Sequence, residues 1–93
     1  MKQYIYPAVL TQDNETKLYI AAFYDLEIFV EAESVEEVFV SAKSYLENYL
    51  VCCLRFNADF SEPSSYEETR KRYPNDQLLM IEANLKNIKS KDF

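Results

Sequence analysis

The side chains that could do chemistry in this chain are carboxylates gathered in one segment. Residues 13–37 hold eight Asp and Glu residues against a single Lys, and the whole chain of 93 residues carries a net charge of −6. Carboxylates at this density can hold divalent cations, as in a nuclease, or form a surface for a basic protein partner, and the alternative is a solvated face that keeps a small protein soluble. The sequence contains no His and no Gly, which removes the commonest general base and excludes a glycine-rich phosphate loop.

The two cysteines do not supply the missing chemistry. Cys52 and Cys53 are adjacent in a segment with helical spacing, and successive helical side chains diverge by about 100°, which disfavours a disulfide between them. A Cys or Ser nucleophile also lacks a His to activate it. We therefore interpret both cysteines as small apolar residues of a protein in a reducing compartment, with a redox pair as the alternative.

The basic residues do not favour nucleic-acid binding. They cluster at 70–72 and at 86–91, in a chain that is acidic overall. Bases that stack on aromatic side chains need a basic groove beside them, because phosphate neutralisation supplies much of the affinity. We therefore assign the Tyr and Phe residues to packing, and residues 70–72 to a helix end, where cations interact favourably with the helix dipole.

The carboxylates must be positioned by a small α+β domain. The 48% hydrophobic content and the 14 aromatic residues suffice for one core. No apolar run approaches the ~20 residues of a membrane span, and the first residues lead directly into a strand-like segment, so we expect a cytoplasmic protein without a membrane segment. Alternating polarity predicts strands at 3–11, 16–23, 26–33 and 77–85, and capping signals predict helices at 34–55 and 65–72.

The order β-β-β-α-α-β predicts an antiparallel sheet with one long helix packed across one face and the last strand beside the first. Pro7 cannot donate a ladder hydrogen bond, so we expect the first strand to lie at a sheet edge or to carry a bulge there. Residues 1–85 are predicted to form one domain, and residues 86–93 a basic, flexible tail.

Both helices begin with a capping box. Ser34 with Glu37, and Ser65 with Glu68, place a hydroxyl and a carboxylate where the first free backbone N–H groups lie. Glu47 falls on the side of the long helix away from its predicted core-facing stripe. That stripe consists of Val35, Val38, Phe39, Ala42, Tyr45, Leu46, Tyr49, Leu50 and Cys53.

Five short segments occur in an order and spacing that are similar to those of one known family. They are Tyr6-Pro7-Ala8, the aromatic residue before Asp25-Leu26, Ser34-Val35-Glu36-Glu37, Tyr45-Leu46 with Tyr49-Leu50, and Pro63-Ser64-Ser65-Tyr66-Glu67-Glu68. Together they resemble the N-terminal domain of the HicB antitoxins over residues 4–85. The resemblance implies a partial ribonuclease-H-like fold and a role in neutralising a toxin.

The chain departs from the HicB pattern in three respects. Glu27-Ile28 stands where the family usually has a proline and a glycine after the Asp-Leu corner, and the family's glycines around the first hairpin are missing. HicB antitoxins commonly continue into a helix-turn-helix or ribbon-helix-helix domain, whereas this chain stops at Phe93. We therefore expect no direct DNA binding from this chain alone.

A likeness to ribonuclease H raises the question of catalysis. Enzymes of that type place a metal-binding carboxylate in the middle of the first strand, so that two cations lie about 4 Å apart. Residues 4–10 contain no Asp or Glu. We therefore predict no enzymatic activity, no catalytic residues, no metal and no cofactor.

Two hypotheses of function remain. The resemblance implies an antitoxin that binds a small basic HicA-type toxin, an mRNA-cleaving ribonuclease, and covers its RNA-binding and active-site face. The predicted partner-binding residues are Tyr24, Asp25, Glu27, Phe29, Glu31 and Glu47. The alternative is an orphan HicB-like module without a toxin, which forms a homo-oligomer through the Pro7 edge or the last strand.

Overall fold

The computed structural model describes residues 4–85. Its elements are β1 (Tyr4–Gln12), β2 (Tyr19–Phe23), β3 (Ile28–Ala32), α1 (Val35–Arg55), α2 (Tyr66–Arg72) and β4 (Gln77–Ala83). A small α+β protein with a four-stranded antiparallel sheet and two helices is thus confirmed. The predicted basic tail, residues 86–93, lies outside the described residues.

The strands lie in the order β3-β2-β1-β4, and every neighbouring pair is antiparallel. The expectation that Pro7 marks a sheet edge or a bulge is wrong, because β1 is an inner strand and Pro7 pairs in register with Met80. The pairing of β1 with β2 begins only at Val9, so β1 has a neighbour on one side alone at Pro7. Because β1 has no partner on its β2 side at this position, a proline there can lack an N–H group without the loss of a hydrogen bond between strands.

The inner face of the sheet, which we define as the face covered by α1, holds the core. Tyr6 and Phe23 are fully buried there, and Leu46 and Leu50 meet them from the helix. Side chains of this size each contribute about 1.5–3 kcal/mol when removed from water. The fully buried helix positions recur every fourth residue, at Val38, Ala42, Leu46 and Leu50.

The contact line of α1 is narrower than the predicted stripe. Val35, Phe39 and Tyr45 are exposed, because the helix touches the sheet along one ridge of residues four apart. At the start of α1, Ser34 Oγ accepts the N–H of Glu37 and donates to Glu37 Oε1, both at 3.1 Å. The Glu37 carboxylate therefore accepts a hydrogen bond from the hydroxyl of Ser34.

The outer face of the sheet, opposite α1, is covered only in part, by α2. Val9 and Pro7 are buried on this face and line a crevice together with Thr69 and Tyr73. A complete capping box begins α2, since Glu68 N–H donates to Ser65 Oγ and Ser65 N–H donates to Glu68 Oε1. The bond from the Ser65 backbone holds the pKa of Glu68 below its ordinary value.

The segment that connects α1 to α2 is held against the inner face at the end of the sheet. The hydroxyl of Tyr6 donates to the carbonyl of Ser61 at 2.6 Å, and the ring of Phe60 lies edge-on to Tyr4 with centroids 5.8 Å apart. Burial, with the carboxylates of Glu62 and Asp25 nearby, raises the pKa of Tyr6 well above its usual range. The connection therefore brings the chain from the inner face around to α2 on the outer face.

Candidate protein-binding surface

The corner between β2 and β3, residues 24–27, begins with a hydrogen-bonded turn. The N–H of Leu26 donates to the carbonyl of Phe23 at 3.1 Å, and the side chain of Leu26 is buried. Glu27 then adopts φ 57°, a left-handed conformation that is costly for a residue other than Gly, Asn or Asp. This turn leaves the side chains of Tyr24 and Glu27 exposed on either side of a buried anchor.

Three aromatic side chains form a continuous row beside the corner, which we call the aromatic row. Tyr24 stacks on Tyr73 with centroids 5.0 Å apart and an interplanar angle of 12°. Phe29 meets Tyr24 edge-on at 5.9 Å. Phe29 is 59% exposed, although it contacts Tyr24. Such pairs contribute about 0.5–1.5 kcal/mol each, so the row is ordered before any partner arrives.

Asp25 has a structural role that the sequence did not predict. Its two carboxylate oxygens accept hydrogen bonds from Ser64, one from the backbone N–H at 2.8 Å and one from the hydroxyl at 2.7 Å. The side chain is half-buried rather than part of an exposed acidic face. Asp25 therefore fastens the corner to the segment that precedes α2, and it positions Tyr24 opposite Tyr73.

Glu47 does not belong to this surface, which corrects its prediction as a partner-binding residue. It is only 8% exposed and lies on the flank of α1 that faces β4. Its Oε2 accepts the N–H of Asn84 at 2.6 Å and lies 3.2 Å from Nζ of Lys43. The helical period placed it away from the sheet, but the backbone just after β4 covers that flank.

The two remaining predicted acids are exposed. Glu31 shares the outer face with Phe29, because residues two apart on a strand point the same way, and it lies opposite Ile20 in the register. Glu27 lines a polar recess of about 290 Å³ with Asp25, Asp59 and Tyr49. Within residues 4–85 the His, Cys, Asp and Glu side chains form no group of three that could hold a metal ion.

The structure thus brings Tyr24 and Phe29 into contact and places Glu31 on the same face of β3 as Phe29. Glu27, in contrast, faces the recess with Tyr49, and Glu47 lies on the other flank of α1. Sequence reasoning missed Tyr73, which completes the aromatic row, and Ser64, which binds Asp25. The signal available for Ser64 was its place in the Pro63-Ser64-Ser65 segment before the α2 cap. No local signal pairs Tyr73 with Tyr24, because they are 49 residues apart in the sequence.

Comparisons of this chain with protein-family models, with curated proteins and with solved structures found no match. In the part of the chain that the structure describes, no helix has the length and apolar character needed to cross a membrane.

Proposed function

We propose that this chain is a HicB-like antitoxin, which binds a small basic HicA-type toxin and neutralises it by covering its RNA-binding and active-site face. The observation that carries the proposal is an exposed, preformed aromatic row bordered by carboxylates. Tyr24 lies at its centre and Phe29 at the β3 end, where Glu31 is exposed on the same face of the strand, and Glu27 is exposed at the adjoining corner. No catalytic group takes part in this mechanism, since inhibition follows from occupying the toxin surface.

The energetics of such a surface fit protein recognition. Aromatic side chains that are held in place before binding act as anchors, because little rotamer freedom remains to be lost. Carboxylates at the border contribute chiefly to the association rate and to the choice of a basic partner. The exposed carboxylates of Glu31 on β3 and Glu27 at the corner favour a basic partner over an acidic one on the β3 side of this surface.

The fold is compatible with the proposed family. The antiparallel meander β3-β2-β1 with one long helix across a single face supports this interpretation, because a ribonuclease-H-like fold opens with such a meander and helix. The assignment to that fold remains part of the proposal, alongside the antitoxin role.

The first experiment is purification of the tagged chain from its own host and identification of what accompanies it. A stoichiometric basic protein that cleaves mRNA when expressed alone supports the proposal. Co-expression then measures whether growth is restored. An abundant acidic or neutral companion, or a companion that is harmless when expressed alone, contradicts the antitoxin role.

Charge reversal tests where the toxin binds. Glu27→Lys with Glu31→Lys should abolish growth rescue, because both charges lie on the proposed surface and are exposed. The matched control is Glu15→Lys with Glu67→Lys, which makes the same change of net charge at exposed positions away from the aromatic row. If both double variants rescue growth equally, the proposed surface is wrong.

A second candidate function is a self-associating module without a toxin. It is favoured by the open edges of the sheet, where β3 and β4 are the two outer strands. Near the β4 edge, Ile5 of β1 and Met80 of β4 are exposed on the outer face. Pro7 lies in an inner strand, so the outer strands β3 and β4 are the better candidates for self-association. Light scattering across a concentration series distinguishes a stable oligomer from a monomer.

A further inference from the structure

The two edges of the sheet are not equivalent, and the β4 edge is already occupied at one end. The carbonyl of Glu82 accepts a hydrogen bond from Nζ of Lys43, and the N–H of Asn84 donates to Oε2 of Glu47. Residues two apart on a strand direct their backbone groups to the same side. Lys43 and Glu47 thus take both hydrogen-bonding groups that an added strand would need at this end.

The Lys43–Glu47 pair is itself held in place. The two side chains are one helical turn apart and form an ion pair at 3.2 Å. Because Glu47 is buried, Lys43 cannot move away without leaving a desolvated carboxylate that has lost its ion-pair partner. Sheet edges that natural proteins cover or charge in this way resist pairing with another chain.

The β3 edge has no such cover. β3 pairs with β2 on one side, and the side-chain hydrogen bonds described for residues 4–85 include none to the backbone of residues 28–32. Its outer-facing Phe29 and Glu31 are exposed, whereas Ile28 and Val30 are buried beneath α1. The open edge therefore has an exposed aromatic side chain on its outer side.

A second apolar flank lies on the inner side of this edge. Lys43 and Glu47 point toward β4, so the opposite flank of α1, with Tyr45 and Tyr49, lies toward β3. Tyr49 shares the corner recess with Glu27, which confirms that placement. Tyr45 is 53% exposed and lines an open depression of about 330 Å³ with Asn48, Tyr49 and Cys52.

We propose that the β3 edge accepts an extended segment of the basic partner as an added strand. Side chains of that strand would lie alternately on Phe29 at the outer flank and on Tyr45 at the inner flank, as the period of a strand requires. This inference rests on the proposed function for the identity of the partner, and it names the part of the chain that binds it.

Charge decides between a basic partner and a second copy of this chain. Glu27, Glu31 and Glu33 lie along β3 and its two ends, all of them exposed. Two copies that paired through β3 would bring these carboxylates together, and like charges across a strand pair are destabilising. Lys or Arg side chains on an added strand would instead face Glu31 and its neighbours, so a basic segment fits the edge and a second copy does not.

The test uses a short synthetic peptide of alternating Lys and Val, added to the isotopically labelled chain and followed by amide chemical shifts. The expected result is saturable shifts at residues 28–32, and slower hydrogen exchange of their amides, with no change at Gln77–Ala83. A peptide of alternating Glu and Val is the control and should leave the spectrum unchanged. Shifts at β4, shifts scattered over every acidic side chain, or no shifts at all would overturn the proposal.

Variants on the flanks make the test specific. Phe29→Ser with Tyr45→Ser should weaken peptide binding about tenfold, since both flanks lose an aromatic anchor while the core is untouched. Met80→Ser with Leu54→Ser removes two exposed apolar side chains outside the proposed site and should leave the affinity unchanged. Equal losses in the two pairs would show non-specific adsorption and refute a β3 site.

The two proposals can fail separately. If the peptide does not bind β3 but a basic toxin accompanies the chain, the antitoxin role stands and the docking edge is wrong. If the peptide binds β3 but no basic toxin is found, the docking edge stands and the antitoxin role falls.

Discussion

The inner and outer faces of the sheet are built from the same four strands but differ in how far they are buried. On the inner face Tyr6, Phe23 and Ile81 are fully buried under α1. On the outer face, α2 covers the middle of β1, and Phe29 and Met80 at the two sides are left exposed. Because successive strand residues alternate between the faces, neighbouring residues of one strand lie in different environments. The buried inner face therefore contributes most of the stability, whereas the outer face leaves apolar side chains exposed at both sides.

The largest expected effect is on the inner face. Leu46→Ala should lower the free energy of unfolding by about 2–5 kcal/mol, because Leu46 is fully buried and its loss leaves a cavity. Phe29→Ala on the outer face should cost no more than about 1 kcal/mol, mainly its contact with Tyr24. Urea unfolding of both variants measures the difference. Equal losses would contradict the division between the faces.

Substitutions of Glu47 test whether the stabilising, buried region extends to the flank of α1 that faces β4. Glu47→Ala should cost about 1–3 kcal/mol, because the N–H of Asn84 loses its acceptor and Lys43 loses its partner. Glu47→Gln keeps an acceptor oxygen and should recover most of that loss. Removing the pair also opens the β4 edge, so the Ala variant should associate more strongly with rising concentration, as sedimentation would reveal. A fully stable, monomeric Ala variant would show that the pair has no such role.

Substitutions of Asp25 measure how much the corner beside the outer face contributes to stability. Asp25→Ala should cost about 1–2 kcal/mol, since it removes both acceptors of Ser64. Ser64→Ala removes only the hydroxyl donor and should cost less, while the backbone bond persists. A double-mutant cycle measures the coupling between the two residues. If the two losses simply add, Asp25 does not act through Ser64.

The inner face also predicts a response to alkaline pH. The pKa of Tyr6 is raised above its ordinary value of 10.0, chiefly by burial, so the folded state favours the neutral phenol. That contribution is complete below pH 10 and is lost as pH rises beyond it, by about 1.4 kcal/mol per pH unit while only the unfolded state ionises. Tyr6→Phe should flatten the alkaline slope relative to the wild type.

The smallest expected effect concerns α2. Ser65→Ala should cost about 1 kcal/mol, the usual value for loss of an N-cap. Because α2 belongs to the outer face, hydrogen exchange should accelerate at residues 66–72 and remain slow in α1. Ser34→Ala costs a similar amount, but it acts on the helix that closes the core, so protection should fall throughout. Identical exchange patterns would mean that the two helices unfold as one unit.

Much of the fold was predictable because its signals are local. The Ser34 and Ser65 caps are set by residues three apart, and the strands by alternating polarity, so the helix starts agree with the prediction. The exposure of Tyr45 could not be foreseen, because the helical period does not reveal how wide a contact the sheet makes.

The candidate surface was harder to predict, since it depends on pairs that are distant in sequence. Tyr24 and Phe29 lie in the corner and strand that local signals predict, and both side chains are exposed. Glu47 was misassigned, since its burial comes from Asn84, 37 residues away. Asp25 was taken for a free carboxylate because Ser64 approaches it only after the connection to α2 has folded back.

The longest ladder in the sheet joins β1 to β4, and this has a consequence for how the protein is made. Tyr4 pairs with Ala83, so the ladder closes a loop that contains nearly all of the described chain. During synthesis β1 leaves the ribosome before β4, so β1 can pair only with β2 until β4 has emerged. Loop closure over such separations is slow, and Tyr6 and Ile81 can become buried together only at that late step. A nascent chain stalled before β4 should therefore remain sensitive to protease.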